Sequence, residues 1–371
     1  MGASNYVNAN VGLIWKNFII IGFTNIFLNF KQTIMTNDIP PPVQLMQMLF
    51  GFAASRAIGV SAELRIADLL KDGAKNAEEL ARQTGVHGRS LYRVLRACAS
   101  IGVYSEDNEK KFSLTPLAEP LLSDAPGSLR AFAEMITCDW QFQTWAELPY
   151  SVETGKPSFD KVHGKSSFDY FWSNEKAGKV FNDAMTSNSA FSSVAVVNAF
   201  DFSSLSKLVD IGGGHGFLLA SILAKYGNLK GVLYDTPAIV GQAEKLLKEH
   251  GVTDQCETVG GDFFTSVPAG GDAYIMKHII HDWNDEQCIT LLQNCGKAMT
   301  DGGKVLVVEM VVPEGNEPSP AKFLDLQMLQ YLPGCERTEK EYAELFDKAG
   351  LKLTRIIPTM SPFSIIEGES K

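Results

Sequence analysis

A glycine-rich turn joins a short apolar run to a helix-length segment, and it constrains the fold more than any other feature. KLVD runs straight into IGGGHGFLLASILAKYG, which begins at Ile211, so a strand passes through glycines into a helix. Beyond Leu205, the runs GVLYD, ETVGGDF, DAYIMKH and KVLVVEMVV alternate with segments of helical length. Strands in this rhythm predict a parallel sheet covered by helices on both faces. LKLTRIIPT and SPFSIIEGES predict two more strands, the last of them antiparallel.

The spacing of the glycines indicates the kind of ligand. Gly212, Gly214 and Gly216 form G-x-G-x-G after the acid Asp210. A dinucleotide fingerprint would need its third glycine at position 217, which is Phe217. The turn lets the backbone approach a ligand closely. Its pattern favours an adenosyl amino acid, because such a cofactor has no pyrophosphate.

Carboxylates follow the next two strands. Asp235 ends GVLYD about 20 residues after the glycines, where an acid accepts hydrogen bonds from both ribose hydroxyls. Asp262, in VGGDFF, is placed to meet an adenine amino group, with Phe263 against the ring. Single acids at strand ends are often helix caps. Their order around the glycine turn favours a cofactor site, since open parallel sheets bind ligands at these ends.

A histidine follows the fourth strand, in MKHIIHDWNDEQC. His281 lies at the same carboxyl edge as the glycine loop, beside Asp282. Taken alone, a histidine here is as consistent with a structural role as with catalysis. Glu309 closes the fifth strand inside an apolar run, where an acid needs a polar partner. Glu336 lies in GCERTEKEY near the start of a helix. The two acids favour a catalytic histidine.

The N-terminal third shows a different pattern. VQLMQMLFGFAASRAIGVSAEL, after three prolines, is apolar on too many sides to be solvated alone, so we expect another element or a second copy of the chain to cover it. The segment that follows predicts three helices and two short strands around SEDNEKK, a winged helix. Arg89, Arg93 and Arg96 on one helix face would suit DNA. The formal net charge of -10 favours a protein-protein module instead.

The segment from about Thr115 to Ala199 is predicted to be helical and is rich in aromatic residues. Most of them are expected in the core, as aromatic stripes usually are. Some could line a pocket for a flat acceptor, and FNDAM, with Phe181 and Met185, is the best local candidate.

The first residues do not match the rest of the chain. The stretch from Val11 to Phe30 has the length of a membrane span but carries Lys16 and three asparagines, and no small-x-small cleavage site follows it. We expect the native start at Met35, with residues 1–34 an extension and no stable membrane association. The six cysteines show no C-x-x-C pair or zinc spacing, which predicts reduced thiols in a cytoplasmic protein and no metal site.

Four blocks together resemble the caffeic acid and hydroxyindole O-methyltransferase family: D-x-G-G-G-x-G, G-G-D-x-F, M-K-x-x-x-H-D-W-x-D-E and G-x-E-R-T-x-x-E. The resemblance covers Pro42 to the end. The H-D-W-x-D-E and E-R-T blocks are specific, whereas the glycine block indicates only a class I methyltransferase. The implied fold is α/β, a class I methyltransferase Rossmann-like sheet with an N-terminal helical winged-helix dimerisation domain. The expected division is extension 1–34, dimerisation domain 35–115, helical linker and acceptor-pocket segment 116–200, and S-adenosylmethionine-binding catalytic domain 201–371.

The resemblance also implies residue roles. His281 would be the general base of a metal-independent O-methyltransferase, with Glu309 and Glu336 flanking and orienting it. S-adenosylmethionine would be contacted by Asp210, Gly212, Gly213, Gly214, Asp235, Asp262, Phe263 and Lys277. A small acceptor with a phenolic or enolic hydroxyl would lie against Trp145, Phe181, Met185, Asp282, Met328 and Tyr331.

The implied partner is a second copy of the chain, because the family's winged helix serves dimerisation and caps the partner's acceptor pocket. Nucleic acid is not an expected partner. Two alternatives stay open. One is N- or C-methyl transfer on the same scaffold; the other is a winged-helix regulator whose methyltransferase fold acts as a ligand sensor.

Overall fold

A computed structural model of the protein describes residues 39–125 and 127–371. The predicted extension 1–34, with its apolar stretch from Val11 to Phe30, lies outside these residues. The α-helices are α1 (Pro41–Leu49), α2 (Gly51–Glu63), α3 (Ile66–Leu70), α4 (Ala77–Thr84), α5 (Gly88–Ser100), α6 (Arg130–Ile136), α7 (Asp139–Ala146), α8 (Leu148–Thr154), α9 (Ser158–His163), α10 (Ser167–Ser173), α11 (Glu175–Ala199), α12 (Phe217–Lys225), α13 (Pro237–Val240), α14 (Glu244–Glu249), α15 (Asp285–Ala298), α16 (Ala321–Tyr331) and α17 (Glu339–Lys348). The strands are β1 (Lys75–Asn76), β2 (Tyr104–Glu106), β3 (Lys111–Leu114), β4 (Lys207–Ile211), β5 (Lys230–Asp235), β6 (Cys256–Gly260), β7 (Gly271–Lys277), β8 (Met299–Glu309), β9 (Leu351–Pro358) and β10 (Ser364–Ser370).

The first two helices present a large apolar surface. α1 begins at Pro41, because the fixed φ and missing N–H of proline suit the first turn of a helix. Leu49, Phe50 and Phe52 are 65%, 62% and 64% exposed. By length and composition alone, the stretch Pro41–Glu63 could cross a membrane. The sequence predicted that another element or a second copy of the chain covers these side chains, and within the single chain they remain exposed.

The predicted winged helix is present. β1, β3 and β2 form a small antiparallel sheet in that order, beside α4 and α5. α4 starts with a capping box: Asn76 accepts the N–H of Glu79 at 2.9 Å, and the Glu79 carboxylate accepts the N–H of Asn76 at 2.8 Å. Leu80, Leu95 and Phe112 are fully buried in the core between these elements.

Helices α6 to α11 surround an aromatic cluster. The Trp140 ring meets Phe171 edge-on at 5.0 Å and Tyr331, from α16, at 6.1 Å. The Phe159 ring lies 4.9 Å from Tyr331. This cluster therefore joins the middle segment of the chain to a helix of the C-terminal half.

The C-terminal half is built on a seven-stranded sheet with the order β6-β5-β4-β7-β8-β10-β9. β6, β5, β4, β7 and β8 are parallel, and β10 runs antiparallel to both β8 and β9. The predicted parallel sheet with an antiparallel last strand is confirmed.

Alternate side chains of the central strands pack on opposite faces, which buries both faces of the sheet there. Leu208 and Ile275 pack on the face that α12 covers, and Val209 and Met276 on the face that α15 and α17 cover. This arrangement explains the continuous apolar runs of the sequence. Since parallel strands end at one edge, the glycine turn after Ile211, Asp235, Lys277 and Glu309 lie along the same side of the sheet.

Candidate active site

The glycine turn is held by the end of the neighbouring strand β5, through one main-chain and one side-chain acceptor. The N–H of Gly212 donates to the carbonyl of Tyr234 at 2.8 Å, and the N–H of Gly214 donates to Oδ2 of Asp235 at 2.9 Å. Gly212 has φ +64, a left-handed conformation that favours glycine. The end of β4, the turn and the end of β5 thus form one rigid unit.

Buried charges lie beneath this turn. Asp210 is 1% exposed, and its Oδ2 has no hydrogen-bond partner among the residues described. Burial raises the pKa of Asp210 to about 7, although the charge of Lys277 opposes the rise. Burial lowers the pKa of Lys277 to about 8, and Asp210 opposes that fall. The Lys277 Nζ donates to Oγ of Ser189 in α11 at 2.7 Å. An unpaired buried carboxylate oxygen is costly, so Asp210 is suited to a ligand that donates a hydrogen bond or carries positive charge.

These residues fit S-adenosylmethionine, a cation with a ribose and an amino acid end. Asp210 offers an unpaired oxygen to an ammonium group, and Asp235 ends β5 half-exposed, where a ribose could reach it. Asp262 behaves differently. It is exposed and caps its own turn, accepting the N–H of Phe264 at 2.9 Å and the hydroxyl of Thr265 at 3.1 Å. Phe263 stacks edge-on against Trp283, at 6.0 Å.

His281 lies in a tight turn after β7. His278 leaves the strand with φ +57, unusual for a non-glycine residue. A 3-10 turn over Ile280–Asp282 follows, and Asn284 caps α15 by accepting the N–H of Gln287 at 3.0 Å. The His281 side chain is buried, and its ring lies 5.0 Å from the ring of His278.

Two carboxylates contact the His281 ring. Nδ1 lies 2.5 Å from Oε1 of Glu336, a residue 5% exposed in the loop before α17. Nε2 lies 3.4 Å from Oδ1 of Asp282. The structure therefore brings together His281 and Glu336, which are 55 positions apart, and places Asp282 beside the other ring nitrogen.

Glu309, which was expected to flank and orient His281, hydrogen-bonds the main chain of the histidine turn and not the ring. Its Oε1 accepts the main-chain N–H groups of Ile279 at 3.1 Å and of His281 at 3.0 Å. Its Oε2 accepts the hydroxyl of the buried Tyr342 at 2.5 Å. The reason is that Glu309 ends the adjacent strand β8, level with the backbone of the turn. Glu309 orients His281 through the main chain.

The charges around the two histidines shift their pKa values in opposite directions. Burial lowers the pKa of His281, but the carboxylates of Asp282, Glu336 and Glu309 outweigh it and raise the pKa to about 10. Burial, Lys277 and His281 lower the pKa of His278 well below its usual value, so His278 is neutral. The site strongly stabilises an imidazolium at His281 and at no neighbouring ring.

The residues expected to meet the acceptor are only partly brought together. Phe181 stacks on Phe171 at 4.5 Å, and Met185 packs against the same aromatic cluster. Tyr331 is buried in that cluster, and its hydroxyl donates to Oε1 of Gln141. Trp145 is half-buried and Met328 is buried, and neither is part of the cluster. The phenol of Tyr331 is engaged by protein, so its contribution is packing.

Several residues of the site were not predicted. Asp325 accepts the N–H of Glu336 at 2.9 Å. Arg337 is 2% exposed and binds main-chain carbonyls next to His281. A Cβ on Gly334 would lie 2.1 Å from the carbonyl oxygen of His281, so only glycine allows this close approach. The E-R-T block was the sequence signal that could have indicated a role for Arg337. No sequence signal indicated Tyr342, since it resembles an ordinary core residue of a helix.

Comparison with known proteins identifies two regions of the chain. Residues 145–352 match the family described as O-methyltransferase domain, and residues 46–124 match the O-methyltransferase dimerisation domain. The chain is 45% identical over 323 residues to phenazine O-methyltransferase PhzM of Lysobacter antibioticus, covering 87% of this chain and 94% of that protein.

Two further similarities bear on chemistry. The chain is 32% identical over 310 residues to 8-amino-8-demethylriboflavin N,N-dimethyltransferase of Streptomyces davaonensis, covering 82% of this chain and 89% of that protein. It superposes, with a TM-score of 0.73 and 30% identity, on an O-methyltransferase of neocarzinostatin biosynthesis in complex with S-adenosylmethionine and 2-hydroxy-5-methyl naphthoic acid. That superposition covers 86% of this chain and 96% of the other.

Proposed function

Because this chain belongs to the family of S-adenosylmethionine-dependent O-methyltransferases with an N-terminal dimerisation domain, we propose that it methylates a phenolic or enolic hydroxyl of a small aromatic metabolite, with His281 as the general base. Membership confirms the predicted family, fold class and cofactor. One observation carries the role of His281: Glu336 lies at hydrogen-bond distance from Nδ1, which favours the tautomer with its proton there and a free lone pair on Nε2.

The chemistry requires proton removal and alignment. S-adenosylmethionine, when bound, supplies a methyl group on a positively charged sulfur, already a good electrophile. Nε2 of His281 accepts the proton of the acceptor hydroxyl, so that its oxygen becomes the nucleophile. Asp282 and Glu336 stabilise the resulting imidazolium. Alignment supplies about 7–11 kcal/mol of such a barrier, and a general base contributes roughly 10²- to 10⁴-fold in rate.

The cofactor would lie along the carboxyl edge of the sheet. In this proposal Asp210 would bind the amino group, the main chain of Gly212, Gly213 and Gly214 would contact the amino acid end, and Asp235 would accept hydrogen bonds from the ribose hydroxyls. Lys277, Asp262 and Phe263 would complete the cofactor site. The unpaired Oδ2 of Asp210 and the half-exposed carboxylate of Asp235 support this assignment. The acceptor side would be lined by Phe181, Met185, Met328, Trp145, Tyr331 and Asp282.

The apolar surface of α1 and α2 supports a homodimer. Leu49, Phe50 and Phe52 are exposed in the single chain, and the dimerisation-domain match begins at residue 46. A second copy of the chain would cover them. Within the proposal, the protein is a cytoplasmic enzyme that binds a small molecule and no nucleic acid. We propose the same division of the chain as predicted from the sequence: extension 1–34, dimerisation domain 35–115, helical linker and acceptor-pocket segment 116–200, and catalytic domain 201–371.

The test is a turnover screen of hydroxylated and aminated aromatic acceptors with S-adenosylmethionine, comparing wild type with His281→Ala. We expect methylation at oxygen, located by NMR of the product, and a loss on the order of 10²- to 10⁴-fold in kcat for the variant. Equal rates of oxygen methylation in both proteins would refute His281 as the base.

N-methylation is the second candidate, because a similar protein is named as an N,N-dimethyltransferase. A neutral amine already offers its lone pair, so it depends less on a base. Methylation of amines alone, with most activity kept by His281→Ala, would replace the oxygen-directed proposal with this one.

A further inference from the structure

We propose that Arg337 is a positioning residue for His281, holding the main chain of the histidine turn against the loop that carries Glu336. The inference rests on the proposed role of His281 as a base. The hydrogen bonds of Arg337 go to the main chain, Asp285 and Cys288 and not to either histidine ring, so its effect on the reaction would pass through the geometry of the turn.

The guanidinium group of Arg337 binds the turn on both sides of His281. Its Nη1 donates to the carbonyl of Ile280 at 3.1 Å, and its Nη2 donates to the carbonyl of Trp283 at 3.1 Å. Nη1 also donates to the carbonyl of Cys335 at 3.3 Å, within the Glu336 loop. One rigid planar group thus ties together two segments that are distant in sequence.

Among the residues described, Asp285 at the rim of the site is the carboxylate that hydrogen-bonds Arg337. Nε and Nη2 donate to Oδ1 of Asp285 at 3.2 and 2.8 Å. The Asp285 side chain is 60% exposed, whereas that of Arg337 is 2% exposed. Burying a cation carries a large desolvation cost. An apolar side chain would fill the space without that cost but could not bind three carbonyls. The arginine provides the planar, forked arrangement of N–H donors that binds them.

The opposite side of the turn is held by an anion. Oε1 of Glu309 accepts the N–H groups of Ile279 and His281, at 3.1 and 3.0 Å. The N–H groups of the turn therefore face a carboxylate and its carbonyls face a guanidinium. Rotation of the turn would break bonds of both kinds. Gly334 lies directly on the carbonyl of His281, so His281 and Glu336 are held as a single unit.

The experiment compares Arg337→Lys and Arg337→Met with wild type in the full-length protein. Arg337→Met keeps much of the volume but loses every donor, and Arg337→Lys keeps the charge without the fork. The matched control is Arg355→Lys with Arg355→Met. Arg355 also pairs with one carboxylate, Glu367, at 3.1 and 2.9 Å, but on β9 at the far edge of the sheet.

We expect Arg337→Met to lower kcat on the order of 10- to 100-fold, since small misplacements of catalytic groups have effects of this size. Arg337→Lys should recover part of the loss. The dissociation constant of S-adenosylmethionine, measured by calorimetry, should stay unchanged in both. In the profile of kcat/KM against pH, the rise that reports deprotonation of His281 should move to lower pH. An imidazole displaced from Glu336 loses a partner that raises its pKa. The Arg355 variants should change none of these.

A purely structural role predicts a lower melting temperature with unchanged kcat and pH profile of the folded enzyme, and that result would overturn the proposal. If Arg337→Met does not fold, the same readouts on Arg337→Lys decide the matter. His281→Ala is assayed in parallel. If that variant keeps full activity, the proposed base is wrong; if it loses activity while both Arg337 variants behave like wild type, only the positioning role is wrong.

Discussion

The cofactor side and the catalytic side of the site, taken as its two halves, are assembled in different ways. On the cofactor side, β4, the glycine turn and α12 are consecutive in the chain, and the turn is held by the main chain of Tyr234 and the side chain of Asp235. On the catalytic side, the His281 turn is held by side chains that arrive from β8 and from the loop before α17. One half is a local structure, and the other is a network between distant segments.

The difference separates binding from catalysis. Substitutions in the glycine turn should change the affinity for S-adenosylmethionine and leave the histidine network intact. Substitutions in the network should reduce kcat and leave that affinity unchanged. The halves meet where Gly212 faces the side chain of Ile279, a residue of the histidine turn, so their independence can be tested at that contact.

The largest effect is expected at Glu336. Glu336→Gln keeps the shape of the side chain but removes its charge, and the amide is free to present its NH₂ group to Nδ1 and favour the wrong tautomer. We expect kcat to fall on the order of 10²- to 10⁴-fold, measured by steady-state turnover. The affinity for S-adenosylmethionine should be unchanged in calorimetry.

The same variant should shift the pH profile of kcat/KM in a defined direction. A base must be deprotonated to act, so kcat/KM of the wild type should rise with pH toward about 10, the pKa of His281 in the free enzyme. Glu336 is one of the three acids that raise this pKa. Glu336→Gln should therefore move the rise to lower pH. A profile that keeps its position would separate Glu336 from the histidine and contradict the network.

A smaller effect is expected on the cofactor side, at Gly212. A Cβ there would lie 2.4 Å from Cδ1 of Ile279, and φ is +64. The end of the isoleucine side chain can move, but the left-handed backbone remains strained by about 1–2 kcal/mol in Gly212→Ala. If that strain falls mainly on the bound form, the dissociation constant of S-adenosylmethionine should rise about tenfold.

Gly227→Ala is the control, because no atom of the described part of the chain lies within 4 Å of a Cβ at Gly227. At saturating S-adenosylmethionine, Gly212→Ala should keep a kcat near that of wild type. A large loss of kcat with unchanged affinity would mean that the strain is passed through Ile279 to the histidine turn, and the two halves would no longer count as independent.

The same contrast explains what the sequence could predict. The strands, the glycine turn and His281 follow from local patterns, because apolar runs, glycine spacing and a residue after a strand are read within about 20 positions. Glu309 and Glu336 were found because an acid in an apolar run and an acid in a specific block are unusual. Glu309 was expected to flank and orient His281, but that its contact is made to the backbone depends on the register of β8 beside β7, which no local pattern reports.

Other parts of the site depend on the tertiary fold. Asp325 and Arg337 reach the histidine network only because α16 and its following loop return to the edge of the sheet. Tyr331 appeared suited to an acceptor, but Gln141, 190 positions away, accepts its hydroxyl hydrogen bond. No local pattern reports such pairs, since each residue alone is typical of a helix or a loop.

The smallest effect is expected at Tyr342, the outermost member of the network. Tyr342→Phe removes the hydroxyl that donates to Oε2 of Glu309 at 2.5 Å and leaves a buried carboxylate oxygen without that donor. An unsatisfied buried group costs about 1–3 kcal/mol, which urea unfolding would detect. Oε1 of Glu309 still accepts two main-chain N–H groups, so kcat should fall less than in Glu336→Gln.

Tyr274→Phe is the matched control for this last substitution. Tyr274 is as buried as Tyr342, and its hydroxyl donates to the carbonyl of Pro268 at 2.5 Å, at the opposite end of β7 from His281. Both variants should lose stability, but only Tyr342→Phe should also lose activity. An equal kcat in the two folded variants would show that the network ends at Glu309 and that Tyr342 serves packing alone.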